Sequence, residues 1–383
     1  MNPRKMIFAS DSFKGSLSQE QILSILKECA KKQFPDCKCV CLTIADGGEG
    51  TARAVTEVAG GKMRTVKVHD PLMRSHKAAY GILPGGRAII EMAEASGLPL
   101  VPEDRRDPRN TSSYGTGELI MDAIKQGCRD IRIALGGSAT NDGGMGAFRA
   151  MGFRFLDENG EELEGYGRDL AKVRDIKTDQ VPDAVKLASF TIMCDVNNPL
   201  CGPDGATYVF GPQKGGTKEI LDELEAGMEN YAEVVARKTG EHYEGFSGTG
   251  AAGGLGFTCA AFLRGHIRSG IETILDLVHF DDMLLDTNIC ITGEGRIDGQ
   301  SMHGKAIHGV AKHCKKEGVP CIALVGDVAE GYEKIYMQGI TKIYRTRSAN
   351  MSLKEAMTDA ERLYRQKAEE MFRDIANGNL YGG

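Results

Sequence analysis

The sequence predicts an α/β protein with two domains around a cleft, one built on a mostly parallel sheet and one of mixed α/β type. Three observations favour this class. Short apolar runs followed by glycine loops and helix-like segments recur near both ends of the chain, which is typical of parallel strands joined by helices. A central stretch has strand-like runs separated by turns, which predicts an antiparallel meander. The length of 383 residues also exceeds what one ordinary core accommodates.

The N-terminal segment predicts two strand–loop–helix units. Residues 5–9 form an apolar run, and Ser18 with Gln21 makes a capping box ahead of apolar residues at helical spacing. Residues 38–44 predict the next strand and residues 51–59 the next helix. Ligand loops at the carboxyl ends of such strands are typical of Rossmann-like and flavodoxin-like sheets, and we expect a sheet of this type.

The middle of the chain changes pattern. Strand-like segments at residues 63–68, 78–83 and 88–91 follow one another with turns between them. Helices and strands then alternate, with helices predicted at 118–126, 145–151, 219–238 and 251–263 and strands at 131–135 and 187–194. The abrupt change near residue 63 indicates a second domain.

The last third returns to the strand–loop–helix pattern. Residues 288–292 and 321–325 predict buried strands, and residues 353–372 predict one charged outer helix. We therefore expect residues 1–62 and 270–383 to form a discontinuous Rossmann-like domain. Residues 63–269 are expected to form an inserted α/β domain that contains the meander.

Composition excludes several classes of function. The net charge is −6 and no basic block is present, which argues against nucleic acid or a membrane surface as partner. No apolar run reaches the length needed to span a bilayer. The eleven cysteines include no C-x-x-C pair, so we expect reduced thiols and a cytoplasmic protein. Composition does not decide between a monomer and a homodimer.

The most informative loop is residues 293–305, which follows an apolar strand and precedes a helix-like segment. That arrangement points backbone N–H groups at an anion. The loop also carries Glu294, Arg296, Asp298 and Lys305. A carboxylate can hold Mg²⁺ and a cation can neutralise phosphate oxygens, so the loop predicts phosphoryl chemistry. The sequence has no Walker A motif, G-x-x-x-x-G-K-[ST].

Two loops near the N terminus also suit an anionic ligand. Lys14 precedes a predicted helix start, where its charge adds to the helix dipole; a solvent-exposed turn lysine is the alternative. Asp46 lies between a strand end and a helix start, beside paired glycines that allow close approach of a ligand. An ordinary N-cap is the alternative for Asp46.

The loop at residues 136–144 combines two glycine pairs with hydroxyl and acidic side chains at a predicted helix start. Its backbone N–H groups can wrap a phosphate chain, and a carboxylate there can hold a metal ion. The phosphate-binding candidates are Gly136, Gly137, Ser138 and Asn141, and the metal-binding candidate is Asp142.

Three more features lie in the second half of the predicted inserted domain. Asp195 ends an apolar strand, where a kinase needs an Asp as base or Mg²⁺ ligand; a turn or cap is the alternative. Lys214 lies in a glycine-rich segment and is a phosphate candidate. Residues 248–253 match G-x-G-x-x-G, but no buried strand precedes them, so a close-packed helix start is favoured over a dinucleotide fingerprint.

Together these loops resemble the bacterial glycerate kinase family. The likeness runs from about residue 7 to residue 330, with the family's motifs in the same order. The matching segments are residues 11–17, 45–51, 90–98, 113–120, 136–144, 194–196, 209–215 and 291–298. The resemblance implies glycine at position 73 and threonine at position 301, where this chain has Met73 and Ser301.

The resemblance implies a two-domain enzyme that uses ATP to phosphorylate D-glycerate. It favours the 2-hydroxyl, and hence 2-phosphoglycerate, over 3-phosphoglycerate. Such a reaction requires Mg²⁺ as well as ATP. The resemblance supports the loops as the site but does not assign roles to their residues.

We assign the roles as hypotheses from residue chemistry. The catalytic candidates are Asp195 and Asp298, and Mg²⁺ is assigned to Asp142 and Asp195. The ATP phosphates are assigned to Lys14, Lys214, Lys305, Gly136, Gly137, Ser138 and Asn141. Glycerate is assigned to Asp46, Arg74 and Arg296.

Two other classes of function are retained. A nicotinamide-dependent dehydrogenase of a small hydroxy acid would use the glycines at residues 248–253. A non-catalytic protein that binds sugar acids would hold glycerate without turning over ATP. The acids and lysines spread over separate loops disfavour simple binding, because binding alone requires fewer charged groups.

Overall fold

The structure is a computed structural model of the chain, and it confirms the predicted α/β class. It describes residues 2–44, 50–297 and 306–379. Contacts within the chain divide it into two compact units, which are described separately below. The first unit comprises Met1–Asp46 and Ile271–Gly383, and the second comprises Gly47–Gly270.

Helices and strands are numbered in chain order. The N-terminal segment contains β1 (Lys5–Ser10), α1 (Gln19–Gln33) and β2 (Lys38–Thr43). The second unit contains α2 (Thr51–Val58), β3 (Lys62–His69), β4 (Ser75–Leu83), β5 (Arg87–Glu91), α3 (Ala93–Ser96), α4 (Tyr114–Lys125), β6 (Asp130–Ala134), α5 (Met145–Ala150), β7 (Arg154–Leu156), β8 (Asp175–Lys177), α6 (Asp183–Lys186), β9 (Ser189–Met193), α7 (Ala206–Phe210), α8 (Lys218–Thr239), α9 (Ala251–Leu263) and β10 (His266–Arg268). The C-terminal segment contains α10 (Gly270–Leu277), α11 (Phe280–Leu284), β11 (Ile289–Gly293), β12 (Arg296–Ile297), α12 (Ala306–Lys316), β13 (Cys321–Val325), β14 (Asp327–Val328), α13 (Lys334–Met337), β15 (Ile340–Arg345), α14 (Leu353–Thr358) and α15 (Ala360–Ala376).

The first unit is built on a five-stranded parallel sheet in the order β2-β1-β11-β13-β15. Counted along this unit alone, the order is 2-1-3-4-5, which is the flavodoxin-like order. The winding of the chain reverses between β1 and β11. Ligands of such sheets bind outside the carboxyl ends of the strands, at this reversal. The predicted mostly parallel sheet is therefore confirmed.

Two apolar layers cover the faces of this sheet, because successive side chains of a strand point to opposite faces. Met6 and Phe8 of β1 pack in the layer formed with α1 and α15. Ile7 and Ala9 pack in the opposite layer, with α10, α11 and α12. Since both faces are buried, β1 is continuously apolar from Met6 to Ala9 and shows no polar alternation.

The predicted capping box of α1 is present. Ser18 accepts a hydrogen bond from the Gln21 backbone, and the Gln21 side chain accepts one from the Ser18 backbone. The single C-terminal helix predicted at residues 353–372 is wrong in its bounds, since α14 ends at Thr358 and α15 runs to Ala376. Asp359, between them, has φ −98° and ψ 16°, which is outside the helical region and ends the first helix.

The second unit has a six-stranded mixed sheet in the order β10-β9-β6-β5-β4-β3. β10, β9, β6 and β5 are parallel, whereas β5, β4 and β3 form the antiparallel meander that the sequence predicted. Glu91, Ala134 and Met193 are paired at the carboxyl ends of β5, β6 and β9. The loops that follow these strands therefore leave one edge of the sheet.

Helix α2 belongs to the second unit, whereas the prediction placed it with the N-terminal strands. It packs on β3, β4 and β5. Gly81 of β4 allows this packing, because a Cβ there would lie 1.9 Å from Thr56 Oγ1. The Glu91 carboxylate, which is 4% exposed, accepts hydrogen bonds from the Gly50 and Ala52 N–H groups at the helix start. Among the described residues, no helix is long and apolar enough to cross a membrane.

Candidate active site

A cavity of about 390 Å³ opens at the carboxyl ends of β1, β11, β13 and β15 in the first unit. It therefore lies where the winding of the flavodoxin-like sheet reverses, which is where such folds bind ligands. Its volume is within the range typical of small-molecule sites. Charged and polar residues lining it are Asp11, Ser12, Lys14, Ser16, Glu294, Arg296, Asp327, Thr346 and Arg347.

One wall of the cavity is the loop that follows β1. The Asp11 N–H donates to Gly293 O at 2.9 Å, which ties this loop to the end of β11. The Phe13 N–H donates to Leu17 O at 2.9 Å and closes a tight turn. Lys14 is exposed within this turn, whereas Asp11 is half-buried at its base. The loop therefore contributes both a cation and a carboxylate to the cavity lining.

The opposite wall is made by the residues after β11 and β13. Arg296 pairs with Asp327 in the short parallel ladder between β12 and β14. The Asp327 N–H donates to Gly295 O at 3.0 Å, and the Gly326 N–H donates to Glu294 O at 3.2 Å. Gly326 is required for this approach, because a Cβ there would lie 2.3 Å from Gly295 O.

Asp327 holds two arginine side chains at the cavity. Its carboxylate oxygens lie 2.7 Å from Arg345 Nη2 and 2.5 Å from Arg347 Nη1. Arg347 Nε donates to Met351 O at 2.8 Å, which fixes its guanidinium from a second side. Asp327 itself is 7% exposed. A buried carboxylate with two partners therefore orients Arg347, which lines the cavity.

The remaining wall is apolar. It is formed by residues of α14, by the start of α15 and by the Phe13 side chain from the loop after β1. Its residues are Phe13, Leu353, Ala356, Met357 and Ala360. Ser352 caps α14 in a box with Glu355, which sets where this helix begins. The cavity thus combines one apolar wall with two charged walls.

The loop at residues 136–144 in the second unit is fastened by its own carboxylate. Asp142 is fully buried and accepts hydrogen bonds from Ser113 N, Ser113 Oγ, Gly144 N and Gly146 N. Burial raises the pKa of Asp142, although these four donors favour its charged form. In this arrangement the carboxylate fixes the start of α5.

Lys214 lies against the same loop, so these sequence candidates are brought together. Its ammonium is fully buried and donates to Thr140 O at 2.7 Å and to Ser138 Oγ at 3.1 Å. Burial lowers the pKa of Lys214 to about 8, and the charge of Asp142 opposes that shift. The loop is tied to the segment after α3 by the Leu98 N–H, which donates to Gly137 O at 2.9 Å.

Asp195 follows β9, at the same edge of the sheet as the 136–144 loop. Its Oδ1 accepts hydrogen bonds from Ser269 Oγ and the Gly270 N–H, both at 3.0 Å. The side chain is half-buried. The structure therefore orients this carboxylate at the carboxyl end of a strand, where the sequence predicted it.

A model of the glycerate kinase family matches residues 6–376. The chain belongs to the glycerate kinase family. Because the match extends over both units, the family assignment applies to the whole fold and not to one motif.

Relatives of similar length support the family assignment. The chain is 40% identical to a glycerate kinase of Halalkalibacterium halodurans over 96% of this chain and 97% of that protein. It is 39% identical to a glycerate 2-kinase of Escherichia coli, over 93% and 94% of the two chains. The solved structure of glycerate kinase 2 from Salmonella typhimurium LT2 matches with a TM-score of 0.86 and 37% identity, covering 98% of this chain and 99% of that chain.

Apart from Asp195, described above, and Arg74, the residues predicted for the glycerate kinase site fall into three groups. Lys14 and Arg296 line the first-unit cavity. Gly136, Gly137, Ser138, Asn141, Asp142 and Lys214 share one loop cluster in the second unit. Asp46, Asp298 and Lys305 lie outside the described residues.

Arg74 is not part of that loop cluster in the described contacts. Its Nε donates to Asp70 Oδ2 at 2.7 Å, and its Nη2 donates to Leu100 O at 2.9 Å. Both partners hold the turn between β3 and β4. At that turn Met73 has φ +59°, a left-handed conformation that favours glycine. The resemblance to glycerate kinases implied glycine at this position.

Sequence reasoning missed Asp327 and Arg347. A weak signal was present. Asp327 follows the buried strand β13 after a single glycine, which is the pattern of the glycine loops predicted to bind ligands. Arg347 follows the edge strand β15 after a single residue, and no motif marks it. Only the contact between the two shows that they form one feature.

The G-x-G-x-x-G segment packs against protein backbone. Gly253 has φ +62°, and a Cβ there would lie 2.1 Å from Thr140 O. At the neighbouring Gly254, a Cβ would lie 2.9 Å from Gly143 Cα. The glycines therefore let the start of α9 approach the 136–144 loop, as the close-packed alternative predicted.

Proposed function

We propose that this glycerate kinase family member transfers the γ-phosphoryl group of ATP to the 2-hydroxyl of D-glycerate, giving 2-phosphoglycerate and ADP. The family supports a kinase that acts on glycerate, and the name of the Escherichia coli relative supports the 2-position. We also propose that the reaction takes place in the cytoplasm, which is consistent with eleven free cysteines.

The observation that carries this proposal is the cavity at the reversal point of the first-unit sheet. Lys14, Arg296 and Arg347 line it and can neutralise phosphate oxygens. The apolar wall on α14 can cover a purine ring, since ligand sites combine apolar walls with a few charged groups. A cavity of about 390 Å³ is large for glycerate alone. We therefore assign the cavity to ATP.

Mg²⁺ requires oxygen ligands that are still accessible. We propose Asp11 as a ligand among the described cavity residues, because its carboxylate lines the cavity and is half-buried. Asp327 already holds two arginines, and Asp142 is enclosed by four donors. The bound ion would neutralise charge on the phosphate oxygens during transfer. We therefore favour Asp11 over Asp142 as the metal ligand.

Asp195 and Asp298 remain the proposed catalytic carboxylates. Asp195 is supported by its position after β9, at the same edge of the sheet as the loop against which Lys214 is buried. Two donors, Ser269 Oγ and the Gly270 N–H, orient its Oδ1. We propose that Asp195 accepts the hydroxyl proton of glycerate, or holds Mg²⁺ if a second ion binds. The Lys214 ammonium would keep the 136–144 loop in the conformation that receives the substrate.

A nicotinamide-dependent dehydrogenase has less support. The only glycine fingerprint in the sequence is at residues 248–253, and its glycines are packed on the backbone of the second unit. In a dinucleotide-binding loop the pyrophosphate of the cofactor approaches these glycines, and here protein backbone occupies that position. The charged cavity of the first unit lies in a different part of the chain.

A coupled assay of ADP release tests the proposal. Purified protein is given MgATP with D-glycerate, L-glycerate, glycerol or hydroxypyruvate, and the product is identified by ³¹P NMR. We expect turnover with D-glycerate and a 2-phosphoglycerate signal. Turnover should be strongly reduced in Lys14→Ala and retained in Lys27→Ala, which changes a lysine of α1 away from the cavity. ADP release that does not depend on glycerate, or reduction of a nicotinamide, would contradict the proposal.

A further inference from the structure

Three cysteine thiols meet in the core of the first unit. Cys290 lies on β11, Cys321 lies opposite it on β13, and Cys314 lies on α12 above them. Their Sγ atoms all lie within 4.8 Å of one another. Each residue is 0% exposed. Adjacent strands and the covering helix therefore bring together thiols that are up to 31 residues apart in sequence.

The thiols share hydrogen bonds with one another. Hydrogen bonding with Cys290 and with Cys321 lowers the pKa of the Cys314 thiol, and burial opposes that shift. Around them the layer is apolar, with Ile7, Val310 and Ala323 among its members. The cluster is thus a trigonal set of soft ligands in an apolar surrounding.

The ligand set has three members within the described part of the chain. His313 is the neighbour of Cys314 in sequence, but its ring is bonded to Asp281 and Glu272 at the surface of α12. Zn²⁺ in structural sites takes four ligands, so this trigonal set does not suit it. Charge is the second constraint. Three thiolates around Zn²⁺ or Cu⁺ leave a net negative charge, which is costly to bury in an apolar layer.

We propose that Cys290, Cys314 and Cys321 form a binding site for arsenic(III), a trivalent element that binds thiolates strongly. A trivalent centre bound to three thiolates is neutral, so an apolar core can hold it. It also prefers three sulfur ligands, which is the number that this cluster brings together. This inference concerns the core of the first unit and does not depend on the kinase activity.

The binding step is a condensation without redox change. Arsenous acid, As(OH)₃, reacts with three thiols; three As–O bonds break, three As–S bonds form and three water molecules leave. The thiol protons depart on those waters. Because the thiols are buried, the reaction requires local opening of α12 over the strands, so we expect it to be slower than labelling of partly exposed Cys39 and Cys41.

The product would clamp β11 and β13 together beneath α12. Both strands run directly into the cavity walls, at Glu294 and at Gly326. Occupation of the thiol cluster would therefore stiffen the strands that carry the proposed ATP site.

Native mass spectrometry of the full chain tests the proposal. The protein is incubated with arsenite and a phosphine reductant until the spectrum no longer changes. We expect one arsenic atom per chain with loss of three protons, and X-ray absorption at the arsenic edge should show three sulfur neighbours. Thermal unfolding, followed by circular dichroism because the chain has no tryptophan, should shift upward.

Variants locate the site. Cys314→Ala should weaken arsenic binding by about tenfold or more, the size of loss found even for outer-shell changes at metal sites. Cys39→Ala and Cys259→Ala, which change a strand cysteine and a buried lone cysteine, should leave binding unchanged. Absence of an adduct, two sulfur neighbours in the wild type, or loss of the adduct in Cys39→Ala would overturn the proposal. The absorption spectrum decides the matter even if Cys314→Ala fails to fold.

Discussion

Arg347 donates from Nη1 to Asp327 Oδ2 at 2.5 Å, at the carboxyl end of the first-unit sheet. The second carboxylate oxygen is held by Arg345 at 2.7 Å. Since Asp327 is buried and Arg347 lines the cavity, the aspartate acts as a positioning residue for a cation that faces the cavity. An arginine held in this way loses less side-chain entropy when it binds phosphate.

Asp327→Asn tests this relationship. We expect kcat/KM for ATP to fall about 10- to 100-fold, because a hydrogen bond to a charged group contributes about 1.5–3 kcal/mol. Most of the loss should be in KM for ATP, with a smaller change in kcat. Asp374→Asn is the matched control. Asp374 likewise binds a cation in the first unit, Lys342, but it does not line the cavity. Equal effects of the two substitutions would refute the role of Asp327.

Lys214 predicts how stability depends on pH. Its pKa is about 8 in the folded chain, below the usual 10.5. Between these values the unfolded chain binds more protons than the folded chain, so the free energy of unfolding rises with pH. In urea unfolding, the free energy of unfolding of the wild type should be higher at pH 9.5 than at pH 7.5. This increase should be smaller in Lys214→Met. Lys218→Met removes an exposed lysine and should keep the wild-type gain.

Asp142→Asn distinguishes a structural role from metal binding. The amide would turn an N–H₂ group toward donors from Ser113 and Gly146, so we expect a loss of about 2–4 kcal/mol in the free energy of unfolding. Asp157→Asn alters an exposed turn in the same unit and should cost much less. Unchanged stability together with a raised Mg²⁺ requirement would favour a metal ligand at Asp142.

Asp195→Asn tests the proposed base. Removal of a positioned general base lowers turnover by roughly 10²–10⁴, so kcat should fall by that factor while the far-ultraviolet circular dichroism stays the same. The exposed Asp183 gives a control substitution, Asp183→Asn, with wild-type turnover. Near-normal kcat in Asp195→Asn would show that another group accepts the proton.

Met73 carries backbone strain that glycine would relieve. A left-handed conformation destabilises the folded state by about 1–2 kcal/mol for a residue with a side chain. Glycine removes this strain, but its greater freedom in the unfolded chain offsets about 0.5–1 kcal/mol of the gain. Met73→Gly should therefore raise the free energy of unfolding by about 0.5–1 kcal/mol. Met73→Ala keeps the strain and should give no such gain in urea unfolding. A loss of stability in Met73→Gly would mean that the side chain packs more strongly than its backbone is strained.

Local patterns in the sequence were sufficient for most of the helices and strands. The Ser18–Gln21 capping box, the antiparallel meander and the all-apolar strand β13 follow from hydrogen-bonding chemistry and periodicity within a few residues. The same locality explains the error at the C terminus, where a continuous helical pattern conceals the break at Asp359.

The candidate site was predicted less completely. Glycine loops with charged residues correctly marked Lys14, Arg296 and the 136–144 loop as places where strands end. The roles of individual residues did not follow, because a carboxylate that fixes a loop and one that holds a metal have the same sequence signature. For Asp142, burial and four hydrogen-bond donors favour the role of fixing the loop.

The sequence by itself determined the family, the α/β class and the loops that carry charge, because these depend on local order along the chain. Only the tertiary structure decided that Asp327 orients Arg347 and that α2 packs in the second unit. It also decided that Cys290, Cys314 and Cys321 share one core position. The physical reason is that sheet order and helix packing select which distant residues meet, and no local pattern encodes that selection.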